Sequence, residues 1–184
     1  MRKIFVFMNV SVDGYVEAPG HDISWAHGTD SDPFAKEQGR EVDGILFGHR
    51  TYEMMRSFWP TPQAVQVAPE TARFMNEKQK YVASHASFDP GWRNVTVLSG
   101  DVLERVRQLK AGPGQTIAIF GSNTLCTSLV EAGLIDEFQI MVNPVVLGEG
   151  TPLFHGLVKK AELRLTVVQS MPSGAVFLTY ARRD

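Results

Sequence analysis

The chain has one cysteine, Cys126, so it cannot form an internal disulfide, and a reducing compartment fits it. It also lacks an excess of charge. Its 18 basic and 20 acidic residues leave a net charge of −2, with no electrostatic footprint for nucleic acid or an anionic membrane. No apolar run approaches the roughly 18 residues of a membrane helix. Residues 1–8 imitate a short secretory signal, but Asn9 and Asp13 interrupt it and no small-residue cleavage site follows, so the segment reads as a first strand. The five histidines are scattered, without metal-ligand spacing, and no metal is expected. No G-x-S-x-G elbow is present, and Cys126 falls in an apolar helical stretch as a small core residue. These absences leave a cytoplasmic globular protein whose partner is a small molecule.

What is present suits one domain spanning 1–184. The 184 residues are 43% hydrophobic, enough for a sizeable core. Strands are expected at 4–10, 44–47, 80–84, 95–98, 115–120 and 135–142. Helices are expected from Asp32-Pro33 to about Val42, over 51–56 (broken by Trp59-Pro60-Thr61-Pro62), and over 69–78, 102–110 and 122–131, the last closed by Gly133. Residues 11–31 read as one long loop. Segments 162–169 and 175–182 flank Met171-Pro172-Ser173-Gly174 as a hairpin. Alternating strands and helices predict an α/β three-layer sandwich: a mainly parallel mixed sheet, helices on both faces and a C-terminal antiparallel hairpin.

Two strand–helix junctions stand out. In the first, the apolar run 44–47 ends at Gly48, followed by His49, Arg50 and Thr51. Gly48 allows close backbone approach, His49 and Arg50 supply charge, and Thr51 reads as the helix cap. The second is Phe120-Gly121-Ser122-Asn123-Thr124-Leu125, with Ser122 as cap and without a full G-x-G-x-x-G fingerprint. A helix start offers unpaired N–H groups and the positive end of its dipole to phosphate. Each junction alone also fits an ordinary turn, but the pair points to a dinucleotide. Asp13 precedes Gly14 after the first strand and either shapes that turn or faces a ligand. Trp25 either stacks on a flat ring or covers the core. Asp32 reads as a helix cap, and Asp30 is placed to face the cleft.

In order, these pieces resemble the dihydrofolate reductase fold in its riboflavin-biosynthesis reductase branch, as a stand-alone RibD C-terminal domain. The landmarks are Ser11-Val12-Asp13-Gly14-Tyr15, Gly48-His49-Arg50-Thr51-Tyr52-Glu53, Gly121-Ser122-Asn123-Thr124-Leu125, Ala132-Gly133-Leu134-Ile135-Asp136-Glu137 and Pro144-Val145-Val146-Leu147-Gly148-Glu149-Gly150. The resemblance implies an oxidoreductase using NADPH, or NADH, on a pyrimidine- or pteridine-like substrate. One such activity is that of a 5-amino-6-(5-phosphoribosylamino)uracil reductase. By the same resemblance Gly48 to Thr51 hold phosphate near the adenosine, Ser84 and His85 lie beside its ribose, and Gly121 to Leu125 wrap the pyrophosphate. Because such sheets hold ligands at the carboxyl ends of their strands, Trp25 is expected to cover the nicotinamide and Asp13 or Asp30 to orient the substrate or relay a proton, the alternative being that Asp13 only shapes its turn. Relatives commonly dimerise, so a homodimer is expected.

The family usually has Arg directly after the glycine of the second landmark. Here His49 stands there, and the choice between NADPH and NADH stays open. Phe120 replaces a Glu or second Gly common in riboflavin reductases, and Asp30 and Phe34 keep a folate-reductase spacing with Pro33 between them. The alternative from another class is a non-catalytic nucleotide- or ligand-binding module on the same fold.

Overall fold

The computed structural model describes residues 1–26, 39 and 41–183. Its centre is an eight-stranded sheet built from the apolar runs of the sequence. The strands are β1 (Lys3–Ser11), β2 (Tyr15–Glu17), β3 (Val42–Gly48), β4 (Gln79–Ala83), β5 (Val95–Leu98), β6 (Thr116–Phe120), β7 (Glu137–Asn143), β8 (Thr151–Pro152), β9 (Leu163–Ser170) and β10 (Val176–Arg182). The helices are α1 (His49–Phe58), α2 (Pro62–Val67), α3 (Pro69–Glu77), α4 (Val102–Ala111) and α5 (Asn123–Glu131).

The sheet order is β5-β4-β3-β6-β1-β7-β10-β9. The pairs from β5 to β7 are parallel, whereas β10 runs antiparallel to both β7 and β9. This is the mainly parallel sheet with a terminal antiparallel hairpin that the element pattern predicts. The central strands are almost wholly apolar because helices cover both faces. Alternation along β1 sends Ile4, Val6, Met8 and Val10 into a core shared with Val106 of α4 and Cys126 and Leu129 of α5. Phe5 and Phe7 take the other face, where Phe120 and Phe74 of α3 join them. Beside them, Ile45, Phe47 and Val82 pack with Tyr52 of α1 and Met75 of α3.

Three differences from the sequence pattern have local causes. Helix α1 starts at His49, two residues before Thr51, with Gly48 as N-cap, so Thr51 lies in its first turn and is not the cap. Residues Trp59-Pro60-Thr61-Pro62 stop α1 but also start α2: Pro62 suits a first helical position, and Thr61 Oγ1 accepts from the Ala64 N–H at 3.2 Å. The expected loop 11–31 contains β2, which pairs with the two-residue β8 in a small second sheet. A partner strand of two residues leaves no alternation to detect. The helix expected from Asp32 falls outside the described residues, as do Asp30, Pro33 and Phe34, and Val42 already belongs to β3.

Candidate functional site

In a parallel sheet, ligands gather at the carboxyl ends of the strands, where β–α turns leave helix N-termini facing outward. Here the β3–α1 and β6–α5 turns lie side by side. A Cβ built on Gly48 would sit 3.7 Å from the Cβ atoms of Leu125 and Ser122, and one on Gly121 would sit 3.6 Å from Thr51 Cγ2. The Gly48 N–H donates to Ser122 Oγ at 3.0 Å. Ser122 sits at the N-cap of α5, as its position after β6 predicts, but its hydroxyl makes no cap hydrogen bond to that helix. It adopts a left-handed conformation (φ 57°) directly after the left-handed Gly121 (φ 63°), which carries its hydroxyl across to the other junction. Neither α1 nor α5 has a side-chain cap, so the N–H groups of both first turns keep their capacity to bind an anion.

Both junctions open into one cavity of about 1270 Å³. That exceeds the roughly 300–1,000 Å³ usual for a single drug-sized ligand. Gly48, His49, Arg50, Thr51, Ser84, His85, Gly121, Ser122, Asn123, Thr124 and Leu125 all line it. At one end the His49 ring lies against Phe88, with centroids 4.4 Å apart. Phe88 is set by buried Tyr52, whose ring it meets at 5.7 Å and whose hydroxyl donates to Pro90 O at 2.7 Å. Burial pushes the Tyr52 pKa up to about 12. Ser84 Oγ donates to Ala86 O at 2.8 Å and so shapes the 84–86 turn. Asn123 is likewise engaged: its amide donates to Pro152 O at 2.8 Å and accepts from the Phe154 N–H at 2.7 Å.

Arg50 is held by Glu17, with which it forms a direct ion pair. Glu17 is buried on β2, and its other oxygen accepts from Thr151 Oγ1 at 2.7 Å and meets His21 Nδ1 at 3.0 Å. Burial raises the Glu17 pKa, but the Thr151 and His21 hydrogen bonds and the Arg50 and His21 charges outweigh it and hold the carboxyl below its ordinary range. The carboxylate thus joins three segments around the cavity mouth. Sequence reasoning missed it: an acidic residue in a loop is unremarkable until Thr151, 134 positions away, and Arg50 are brought to it.

Asp13 and Trp25 are placed differently. Asp13 is exposed and clamps the 143–150 loop, accepting from the Leu147 N–H at 3.1 Å and the Gly148 N–H at 2.7 Å. The Ser11 hydroxyl and these two amides lower its pKa to about 2. The Trp25 indole donates to Asp22 O at 3.1 Å, and its neighbours Ile23 and Ala26, not Trp25 itself, line the cavity. At the far end of the cavity β1 and β7 supply Phe7, Asn9, Met141 and Asn143, and the C-terminal hairpin adds Ser173 and Ala175. Among the described residues, no group of three or more His, Cys, Asp or Glu could hold a metal.

The RibD C-terminal domain family model matches residues 2–177. The chain belongs to that family. It is similar to the protein YyaP of Bacillus subtilis (strain 168), with 28% identity over 179 residues, 97% of this chain and 94% of YyaP. A solved pyrimidine reductase-like protein from Corynebacterium diphtheriae superposes with a TM-score of 0.73 at 16% identity, covering 100% of this chain and 93% of that one. Dihydrofolate reductase from Enterococcus faecalis, complexed with NADP(H), superposes with a TM-score of 0.67 at 18% identity, covering 99% and 97%. The fold of this RibD C-terminal domain protein is therefore reductase-like. No helix among its described residues is long and apolar enough to cross a membrane.

Proposed function

We propose that this RibD C-terminal domain protein is an NAD(P)H-dependent reductase of a small planar heterocycle, pyrimidine- or pteridine-like, working in the cytoplasm as a homodimer. The observation that carries this reading is the meeting of two helix N-termini without side-chain caps at one large cavity, tied together by the Gly48–Ser122 hydrogen bond. That arrangement fits a pyrophosphate, which takes backbone N–H donors and the positive ends of both helix dipoles. The complex of the Enterococcus faecalis neighbour with NADP(H) supports a nicotinamide cofactor.

When bound, the cofactor supplies the hydride. The first turns of α1 and α5 hold its phosphates, and His49, Ser84, His85 and Phe88 form the adenosine end. Phe7, Phe120, Met141 and Ala175 enclose the other end in apolar surface that keeps water from the reacting ring. Asp13, already ionised and hydrogen-bonded to backbone, has no proton to give at neutral pH. The accompanying proton therefore comes from a source other than Asp13, with water the simplest; Asp30, the second sequence candidate, lies outside the described residues.

Titration calorimetry with NADPH and NADH tests the cofactor. Single-turnover oxidation of bound NADPH by pterins, pyrimidine flavin precursors and quinones tests the chemistry. Binding in the millimolar range or tighter with turnover is the expected result. Absence of binding by both cofactors rejects the reading, and binding without any turnover assigns the fold to a ligand-binding module.

A further inference from the structure

Where β1 and β7 end side by side, two amides are locked together at the floor of the cavity. Asn9 pairs in register with Met141, and Asn143 with Ser11. The buried Asn143 donates through Nδ2 to Asn9 Oδ1 at 3.1 Å, to Met141 O at 3.1 Å and to Val10 O at 3.5 Å. Three acceptors around one nitrogen fix which way the Asn143 amide points. That in turn fixes Asn9: its oxygen must face Asn143, because the reverse orientation would set two donors against each other. The Asn9 Nδ2 group then faces away from Asn143 and has no partner among the described residues. The surroundings are mainly apolar: Phe7 lies on the same face of β1 and packs with Met141, Ala175, Phe177 and Met171, with Ser173 as a polar neighbour in the lining.

We infer that Asn9 is a specificity-determining residue, whose side-chain N–H reads a ring carbonyl of the bound heterocycle. This deepens the proposed reductase reading and rests on it. A slot with mainly apolar walls and a preset neutral donor at Asn9 selects flat, uncharged rings that carry an acceptor: pyrimidinones and pteridinones of the lactam type. It disfavours diamino rings, which would set a second donor against Asn9 and leave both unpaired. The nicotinamide carboxamide also carries a carbonyl, so the experiment includes an arm for it.

Asn9→Asp is the informative variant. It keeps an oxygen for Asn143 and replaces the outward donor by an acceptor in the same place. The probes are lumazine (pteridine-2,4-dione), 2,4-diaminopteridine, ADP and NADPH, titrated into wild type and variant after thermal melting has shown both to be folded. Asn9→Asp is expected to weaken lumazine by about tenfold or more, to strengthen 2,4-diaminopteridine, and to leave ADP unchanged. Asn9→Ala should weaken lumazine without the gain for the diamino ring, and it carries the test if Asn9→Asp does not fold. Lumazine affinity within about twofold of wild type in the variants overturns the inference, as does absence of lumazine binding to wild type at millimolar concentration. A loss confined to NADPH, with ADP and lumazine unchanged, also overturns it, because the donor then serves the nicotinamide. Failure of wild type to bind ADP counts against the dinucleotide reading alone, since the lumazine comparison still decides the role of Asn9.

Discussion

The Gly48 backbone N–H donates to the hydroxyl of Ser122, 74 positions away, at 3.0 Å. This contact ties the turn after β3 to the turn after β6, so the two helix N-termini are held as one unit. Ser122→Ala is expected to leave the Gly48 donor without its acceptor. The cost should be about 1–3 kcal/mol, read as a lower denaturant midpoint at unchanged slope, with weaker NADPH binding alongside.

The Glu17–Arg50 pair changes the reading of Arg50 as a free phosphate ligand. A bound phosphate must share the guanidinium with a buried carboxylate. Arg50→Ala is expected to weaken NADPH by about 1–3 kcal/mol, the range for a charged hydrogen bond. Glu17→Gln removes the competing charge while keeping a partner for Thr151, so NADPH and ADP should bind more tightly than to wild type. Calorimetry on both variants checks the pair. Weaker nucleotide binding by Glu17→Gln would show that the carboxylate supports the site.

His49 packs on Phe88 where the family usually has Arg. Arginine is always charged and binds phosphate in a two-pronged geometry that imidazole lacks. His49→Arg should therefore raise the ratio of NADPH to NADH affinity by about tenfold, the worth of one such contact. Paired titrations at fixed pH measure it, and an unchanged ratio would place the 2′-phosphate elsewhere.

Asp13 links acid stability to the 143–150 loop. Its pKa falls from 3.8 to about 2 on folding, through the Ser11 hydroxyl and the Gly148 and Leu147 amides, so the folded protein binds this proton less readily than the unfolded chain. The stability it contributes is complete above about pH 4 and is lost as pH falls through 2. Asp13→Asn should flatten the melting temperature between those limits and lower it at neutral pH. If a substrate is in hand, kcat at saturating cofactor should survive the change. A large loss of kcat with an unaltered melting temperature would make the carboxylate catalytic.

We propose that the homodimer forms through β9, an edge strand that exposes Leu165, Val167 and Val168. An apolar edge of this kind pairs readily with a second copy. Sedimentation equilibrium should give about twice 20.4 kDa, and Val168→Lys should shift the mass toward the monomer.

Much of the fold was legible because it rests on local regularities. The apolar runs at β1, β3, β6 and β7 reflect burial on both faces, and the glycines after β3 and β6 mark where strands turn into helices. Those same glycines marked Gly48 to Thr51 and Gly121 to Leu125, and the resemblance added Ser84 and His85; all of these line the cavity, whereas Trp25 does not. Local rules misplaced one cap, however, and missed the partner of another. Thr51 has good capping chemistry, but the turn puts Gly48 at the cap of α1, and Ser122 sits at the cap of α5 with its hydroxyl accepting from Gly48 and not from its own helix. Glu17, the Asn9–Asn143 pair and the β2–β8 pairing carried no sequence signal, because each depends on partners more than 30 residues away. The sequence by itself determined the strands of the main sheet and helices α1, α3, α4 and α5, and marked where a phosphate could sit, since these follow from periodicity and turn chemistry along the chain. Only the tertiary structure decided which side chains remain free to act, because a donor or a charge is free only when no distant partner has already taken it.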